Sequence, residues 1–306
     1  MKGLVIRNTG SSYFVLTDDG RQIECYVKGN FRIRGIRATN PVAVGDRVEV
    51  QQQNDGTAWI KEIEDRQNYI IRRSTNLSKQ SHIIAANVDL AALVVTVNHP
   101  ITSLVFIDRF LATAQAYRVP ACLIVNKADL YGEEDLLAVE QWKQIYEHLG
   151  YQVYVISAIE VQTKEQLSEL FSGKKVLLSG NSGVGKSTIL NLLLGENVAR
   201  TGQISQAHNK GMHTTTFSEM YPYNDGWIID TPGIKGFGTL DMQKTEVGHY
   251  FPEIFHYAAE CKYSDCLHID EPDCAVVRAL ENGDIALSRY ESYLSILEDC
   301  NESKYR

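Results

Sequence analysis

No stretch of this 306-residue chain is apolar for long enough to cross a bilayer. The longest strongly hydrophobic run, around Leu90–Val97, falls far short of the ~20 residues that a spanning helix needs. The opening residues, MKGLVIRNTGSS, turn polar by Asn8 and hold no signal-peptide apolar region. Cytoplasmic residence without membrane contact is therefore the expectation. An excess of positive charge is also missing. With 30 Lys/Arg against 38 Asp/Glu, the net charge of −8 argues against a protein that coats nucleic acid indiscriminately. Internal repeats and low-complexity tracts are absent too, which excludes repeat arrays.

What remains is ordinary globular composition, 44% apolar and 22% charged, over a length that suits two or three cores. The charge is unevenly spread. Residues 1–73 hold 12 Lys/Arg and 9 Asp/Glu, whereas residues 246–306 hold 5 and 13. Such asymmetry suggests domains with different partners. Three of the 6 cysteines fall between positions 261 and 274. Without an export signal, that clustering points to metal before disulfide.

Residues 1–72 read as short strands: LVIRN, SSYFVLT, RQIECYV, DRVEVQQ and AWIKEIE. Asp18-Asp19-Gly20 and Asn54-Asp55-Gly56 supply hairpin turns, and five such strands suit a small OB-type barrel. The loop KGNFRIRGIR carries Lys28, Arg32, Arg34 and Arg37, one aromatic and no anion. It fits either a solvated loop or a contact that tracks RNA phosphates and stacks bases. The polar segment Arg72–Ile83 reads as a linker. From Val88 the pattern becomes β-α units: VDLAALVVTV, FIDRFLATAQAYR, ACLIVN, LLAVEQWKQIYEHLG, YQVYVIS, EQLSELFSG, KKVLLSG and STILNLLLG. Repeated units of this length predict a mostly parallel sheet with helices on both faces. FSEMYPYNDGWIIDTPG follows as a hairpin. Three domains result, over residues 1–72, 73–245 and 246–306.

Gly180-Asn181-Ser182-Gly183-Val184-Gly185-Lys186-Ser187, followed by Thr188, fits G-x-x-x-x-G-K-[ST] between a strand and a helix. Its backbone N–H groups and the helix N-terminus would hold the β-phosphate. Lys186 would bridge the β- and γ-phosphates, and Ser187 would ligate Mg²⁺. Asn126-Lys127-Ala128-Asp129 matches N-K-x-D at a strand end. The Asp129 carboxylate can accept two hydrogen bonds from guanine, which adenine cannot offer. Asn126 would support that loop and contact the purine, the Lys127 stem would pack over it, and Ser157-Ala158 ends the next strand. These pairs resemble the guanine-reading G4 and G5 elements of GTPases. Asp230-Thr231-Pro232-Gly233 resembles G3: Asp230 would hold Mg²⁺ through water, and the Gly233 amide would sense the γ-phosphate. Thr215, with Thr214 beside it, offers the G2 hydroxyl for the metal. The order G4-G5-G1-G2-G3 is a circular permutation, permissible because domain termini lie at the surface. It hangs the last domain directly on the element that senses the γ-phosphate.

That last domain contains Cys261, Cys266, His268 and Cys274. Three thiolates and one imidazole make a closed tetrahedral zinc site, structural in type. Asp284–Cys300 reads as a helix capped by Asp284, with a buried stripe at Ile285, Ser288/Arg289, Tyr293 and Ile296/Leu297. Cys25, Cys122 and Cys300 look isolated, and read as buried or incidental.

A barrel, a permuted GTPase and a Cys-Cys-His-Cys module together resemble the RsgA/YjeQ family of ribosome small-subunit-dependent GTPases, over nearly the whole chain. The resemblance implies a monomeric, GTP-hydrolysing factor of late 30S maturation. The subunit would stimulate hydrolysis, and the barrel would contact 16S rRNA through the basic loop. Two departures stand out. Ile234 occupies the place where Ras-like enzymes keep a water-orienting Gln. The histidine that family members often carry a little further on is replaced near Asp241, which leaves His213 and His249 as candidates. Gly183 stands where potassium-dependent GTPases keep Asn, so no K⁺ activation is expected. Two other readings stay open on these residues: a permuted GTPase of large-subunit assembly, and a nucleotide-gated RNA-binding module with little hydrolysis.

Overall fold

The structure, a computed structural model, describes residues 1–27, 41–73, 81–195, 218–231 and 242–302. Five strands form the N-terminal barrel: β1 (Lys2–Asn8), β2 (Tyr13–Thr17), β3 (Gln22–Val27), β4 (Arg47–Gln52) and β5 (Ala58–Ile63). β1 pairs with β2, β2 with β3 and β4 with β5, all antiparallel. The parallel β3–β5 pairing and the antiparallel β1–β4 pairing close the ring. Alternation decides which side chains point inward, so Val5, Val15, Cys25, Val48, Val50 and Ile60 fill the barrel. The expected barrel is there, with its two hairpin turns. The basic loop with Lys28, Arg32, Arg34 and Arg37 lies outside the described residues.

The supposed linker is not a plain connection. β6 (Tyr69–Arg73) and β7 (Ser81–Ala86) pair antiparallel, so the strand pair runs across the position where composition shifts, near residue 72. Ile70, Ile71, Ile83 and Ala85 are buried, and their burial accounts for the strands. Ile70 and Ile71 are consecutive and both buried, and a register shift between them breaks the period-2 pattern.

The central domain alternates β8 (Leu90–Val95), α1 (Leu104–Ala116), β9 (Ala121–Val125), α2 (Glu133–His148), β10 (Gln152–Val155), α3 (Val161–Phe171), β11 (Lys175–Ser179) and α4 (Lys186–Leu194). The hairpin β12 (Glu219–Tyr223) and β13 (Gly226–Asp230) completes it. The strand order is β10-β9-β8-β11-β13-β12, parallel except for β12. Along β8, Ala91, Leu93 and Val95 face the core with α1 and α2, whereas Leu90, Ala92 and Val94 face the core with α3 and α4. Continuous apolar runs are what a sheet covered on both faces requires. At its far edge β12 joins the barrel, with Arg7 opposite Glu219.

Among the described residues, four α-helices build the C-terminal module: α5 (Lys244–Val247), α6 (Pro252–Ala258), α7 (Ala275–Asn282) and α8 (Leu287–Glu302). α8 starts later than expected. Asp284 does not cap it, because the helix begins only at Leu287; the Asp284 N–H instead returns to the carbonyl of Ala279 beyond Gly283 and closes α7. The expected stripe is buried, with Ile285, Tyr293, Ile296 and Leu297 in one core that also takes Ala112 from α1. Arg289, on the same stripe, is only 1% exposed. It donates to Asp108 of α1 at 2.7 Å and to Glu253 of α6 at 2.6 and 3.2 Å. The C-terminal module thus docks on α1 through a buried ionic joint. Among the described residues, no helix is long and apolar enough to cross a membrane.

Candidate functional site

β11 ends at Ser179 and α4 begins at Lys186, so Gly180–Gly185 turn the chain from sheet to helix. Gly185 has φ +103°, and a Cβ there would stand 2.2 Å from Asn126 Nδ2, so only glycine fits. Val184 is buried, whereas Ser182, Gly183, Ser187 and Thr188 are exposed, and Asn181 is half-buried. The Lys186 ammonium donates to the carbonyls of Gly180 and Asn181, at 2.7 Å each. Burial lowers its pKa, against the opposing charge of Asp230. A cation held by its own loop at the start of a helix can turn to an arriving phosphate.

The base loop forms where β9 ends. Asn126 joins three elements: its Nδ2 donates to Val184 O at 2.9 Å, its Oδ1 accepts from Ala158 N–H at 3.0 Å, and its own N–H bonds Val95 O. Lys127 takes a left-handed conformation and donates its ammonium to His99 O. Asp129 lies in a 3-10 turn, and its carboxylate accepts from Ser157 Oγ at 2.5 Å. Thr163, on α3, donates to Ser157 O and so fixes the next loop. The structure therefore brings together the residues expected at G1, G4 and G5.

Sequence reasoning missed Tyr131 and the loop after β8. The Tyr131 hydroxyl donates to Asn126 O at 2.5 Å and accepts from Val97 N–H at 3.1 Å. A tyrosine there reads as core filler, and no spacing rule marks it.

Asp230 stands at the end of β13, opposite Leu178 of β11, so it flanks the phosphate loop. Burial raises its pKa, against the Lys186 charge that lowers it. Thr231 donates to Leu178 O and holds the same strand end. Thr214, Thr215, Gly233, Ile234, His213 and Asp241 lie outside the described residues. His249 belongs to a 3-10 turn of the C-terminal module, with its ring edge-on to Phe255.

Cys261, Cys266, His268 and Cys274 place their ligand atoms within 4.8 Å of one another. Cys274 Sγ lies 3.9 Å from Cys261 Sγ, 3.8 Å from Cys266 Sγ and 3.4 Å from His268 Nδ1. A tetrahedron with Zn–S bonds of about 2.3 Å has edges of about 3.8 Å, so the spacing fits zinc. Burial pushes the Cys266 thiol up to about 12. Thiolates at neutral pH therefore need a cation among them. Glu271 accepts from Leu267 and Ile269 N–H, and Tyr290 and Tyr293 donate to the carbonyls of His268 and Leu267. These bonds fix the turn that presents His268.

A phosphate loop fed by a central strand, with the N-K-x-D loop at Asn126–Asp129 ahead of it in the chain, defines a circularly permuted GTPase. The family model described as RsgA GTPase matches residues 63–240, and that of the RsgA N-terminal domain matches residues 2–60. The chain belongs to the RsgA GTPase family. It is 60% identical to the small ribosomal subunit biogenesis GTPase RsgA of Phocaeicola vulgatus, over 100% of this chain and 99% of that protein. The protein of the same description from Porphyromonas gingivalis is 55% identical, with the same coverage. Among solved structures, YjeQ from Thermotoga maritima superposes with a TM-score of 0.74 at 34% identity, covering 98% of each chain. YloQ, described as a circularly permuted GTPase, gives 0.71 at 27%, covering 100% of this chain and 96% of that one.

Proposed function

We propose that this GTPase acts in biogenesis of the small ribosomal subunit, and that the 30S particle stimulates its GTP hydrolysis. One observation carries the reading: the alignment with RsgA proteins at 60% identity spans the whole chain, the barrel, the nucleotide domain and the cysteine module included. Guanine is read by Asp129, with Asn126, Lys127, Ser157 and Ala158 shaping its pocket. Residues Gly180–Thr188 bind the phosphates. Lys186 and the loop amides stabilise charge as water attacks the γ-phosphate in line. Mg²⁺, when bound, would neutralise phosphate charge, and Ser187, Thr215 and Asp230 would hold it. The Gly233 amide senses the γ-phosphate. One zinc ion per chain is held by Cys261, Cys266, His268 and Cys274 and has a structural role. The barrel contacts 16S rRNA through Lys28, Arg32, Arg34 and Arg37, and the protein works in the cytoplasm as a monomer. Because Ile234 cannot orient water, unstimulated turnover is slow, and docking on the subunit arranges the site. Measuring GTP turnover with and without purified 30S subunits tests this. Stimulation of at least tenfold is expected, about 1.4 kcal/mol of barrier. No stimulation, or stimulation by 50S subunits instead, overturns the assignment.

A further inference from the structure

Tyr131 follows the base loop directly, but its side chain turns back beneath it. The 3-10 turn Ala128–Leu130 brings the chain round so that the phenol meets the main chain of Asn126. The hydroxyl is used in both directions, donating to Asn126 O at 2.5 Å and accepting from Val97 N–H at 3.1 Å. These two groups top the adjacent strands β9 and β8. With that bond, every hydrogen-bonding group of Asn126 is engaged: N–H by Val95 O, Nδ2 by Val184 O, Oδ1 by Ala158 N–H and its carbonyl by Tyr131.

The carbonyl matters because the peptide unit is planar. Fixing Asn126 O fixes the plane from which Lys127 leaves, and Lys127 leaves in the left-handed conformation, at φ +70°. Asp129 follows within the same tight turn. On its other side the hydroxyl holds the loop after β8. There His99 O accepts the Lys127 ammonium, and Pro100 lies 3.5 Å from where a Cβ on Gly183 would stand. One phenol therefore ties the base loop to the segment that packs on the phosphate loop.

We propose that Tyr131 is a positioning residue for guanine recognition, whose hydroxyl holds the Asn126–Asp129 loop in the geometry that lets Asp129 take both guanine N–H donors. This rests on the reading of Asp129 as the guanine contact. Without the hydroxyl, Val97 N–H and Asn126 O lose their partner, and the loop no longer waits preformed for the base.

The test compares Tyr131→Phe with the parent protein in GTP and ITP binding. Phenylalanine keeps the ring, so its packing persists. Inosine nucleotides lack the 2-amino group and so offer Asp129 one hydrogen bond fewer. The variant should bind GTP about 10-fold more weakly, about 1.4 kcal/mol, with kcat at saturating GTP within about twofold. The preference for GTP over ITP should narrow, because a displaced Asp129 no longer reaches both donors. A merely structural role would weaken both nucleotides equally and leave that ratio unchanged. Unchanged GTP affinity, or an unchanged ratio, overturns the proposal. Asp129→Asn run in parallel separates the two claims. A shift of preference towards XTP upholds the base reading even where Tyr131→Phe fails. No shift removes the base reading, and the role of Tyr131 with it.

Discussion

Replacing Arg289 by Met should cost about 3–5 kcal/mol of stability at pH 8, the typical loss when one partner of a buried ionic cluster is removed. The guanidinium is 1% exposed and sits 4.6 Å from the ring centroid of Phe251. It is shared between Asp108 and Glu253, and Asp108 also accepts from Tyr146 OH at 2.8 Å. Methionine fills much of the volume but leaves two carboxylates in a dry joint without a counter-charge. The pH dependence has a definite sign. Burial raises the Asp108 pKa even in the intact cluster, and Arg289 is the chief influence holding it down. In the variant the folded-state value rises further above the unfolded one. A carboxyl raised in this way stabilises the fold at low pH and loses that contribution as pH rises through its folded value. The deficit should therefore be largest near pH 8 and shrink towards pH 5. Urea titrations at both pH values would measure it, followed by tryptophan fluorescence, to which Trp142, one helical turn from Tyr146, contributes with Trp59 and Trp227. The triple replacement Asp108→Leu, Glu253→Met, Arg289→Met should recover most of the loss. A deficit below about 1 kcal/mol at pH 8, or one that grows on acidification, would refute the joint as described.

Gly185→Ala should weaken nucleotide binding about 100-fold, because its Cβ would meet Asn126 Nδ2 at 2.2 Å and break the bond to Val184; displacement of a fluorescent GDP analogue measures this. Asp230→Asn should stabilise the nucleotide-free protein against heat, and the advantage should widen from pH 4 to pH 8. The native carboxyl, raised by burial, favours its neutral form and loses stability as it ionises. The same variant should lose at least ~10-fold of the Mg²⁺-dependent gain in GTP affinity. Metal analysis should return one zinc per chain, and Cys266→Ser should abolish it and lower Tm by roughly 5 °C or more; a full complement of zinc in that variant would exclude Cys266 as a ligand.

The parts that sequence made legible were those where chemistry leaves little choice. The phosphate loop needs glycines at positive φ, the base loop needs an Asn that can bond three elements, and the cysteine spacing needs a common cation. The structure brings each of these residue groups together: Asn126 bonds Val184 O and Ala158 N–H, and the ligand atoms of Cys261, Cys266, His268 and Cys274 lie within 4.8 Å of one another. The barrel was readable because alternation of Val, Ile and Tyr with polar residues is itself the inward-outward rule of a strand. Arg289 shows where periodicity stops. The stripe on α8 correctly named a buried face, but a period cannot say that Asp108 and Glu253 wait opposite. Strands β6 and β7 were missed for a related reason. Their apolar residues are bunched rather than alternating, and their burial comes in part from Val44 and the central sheet rather than from a long pattern of their own. Tyr131 was invisible because its role depends on a side chain folding back onto its own loop.

The late position of the phosphate loop follows from the strand order. β11 lies between β8 and β13, which are the strands by which the chain enters and leaves the nucleotide sheet. Cutting the domain there places both flanking modules one strand away from β11 and the Gly180–Gly185 loop that follows it. On the entry side, Val94 O of β8 would stand only 2.2 Å from a Cβ on Gly180, so that strand packs directly on the loop's backbone. On the exit side, Asp230 and Thr231 flank Leu178. The modules are not loosely appended at these points. Leu4 and Val44 of the barrel share one core with Leu93, Leu177 and Met220 of the sheet. The C-terminal module is held to α1, which leads back through the cap at Ser103 to Pro100 and the phosphate loop. A chain running from G1 to G5 would start at β11 and end on α3, so its appended modules would lie away from β8 and β13. In the permuted order, a load on either end of the molecule acts on a strand that flanks the Gly180–Gly185 loop.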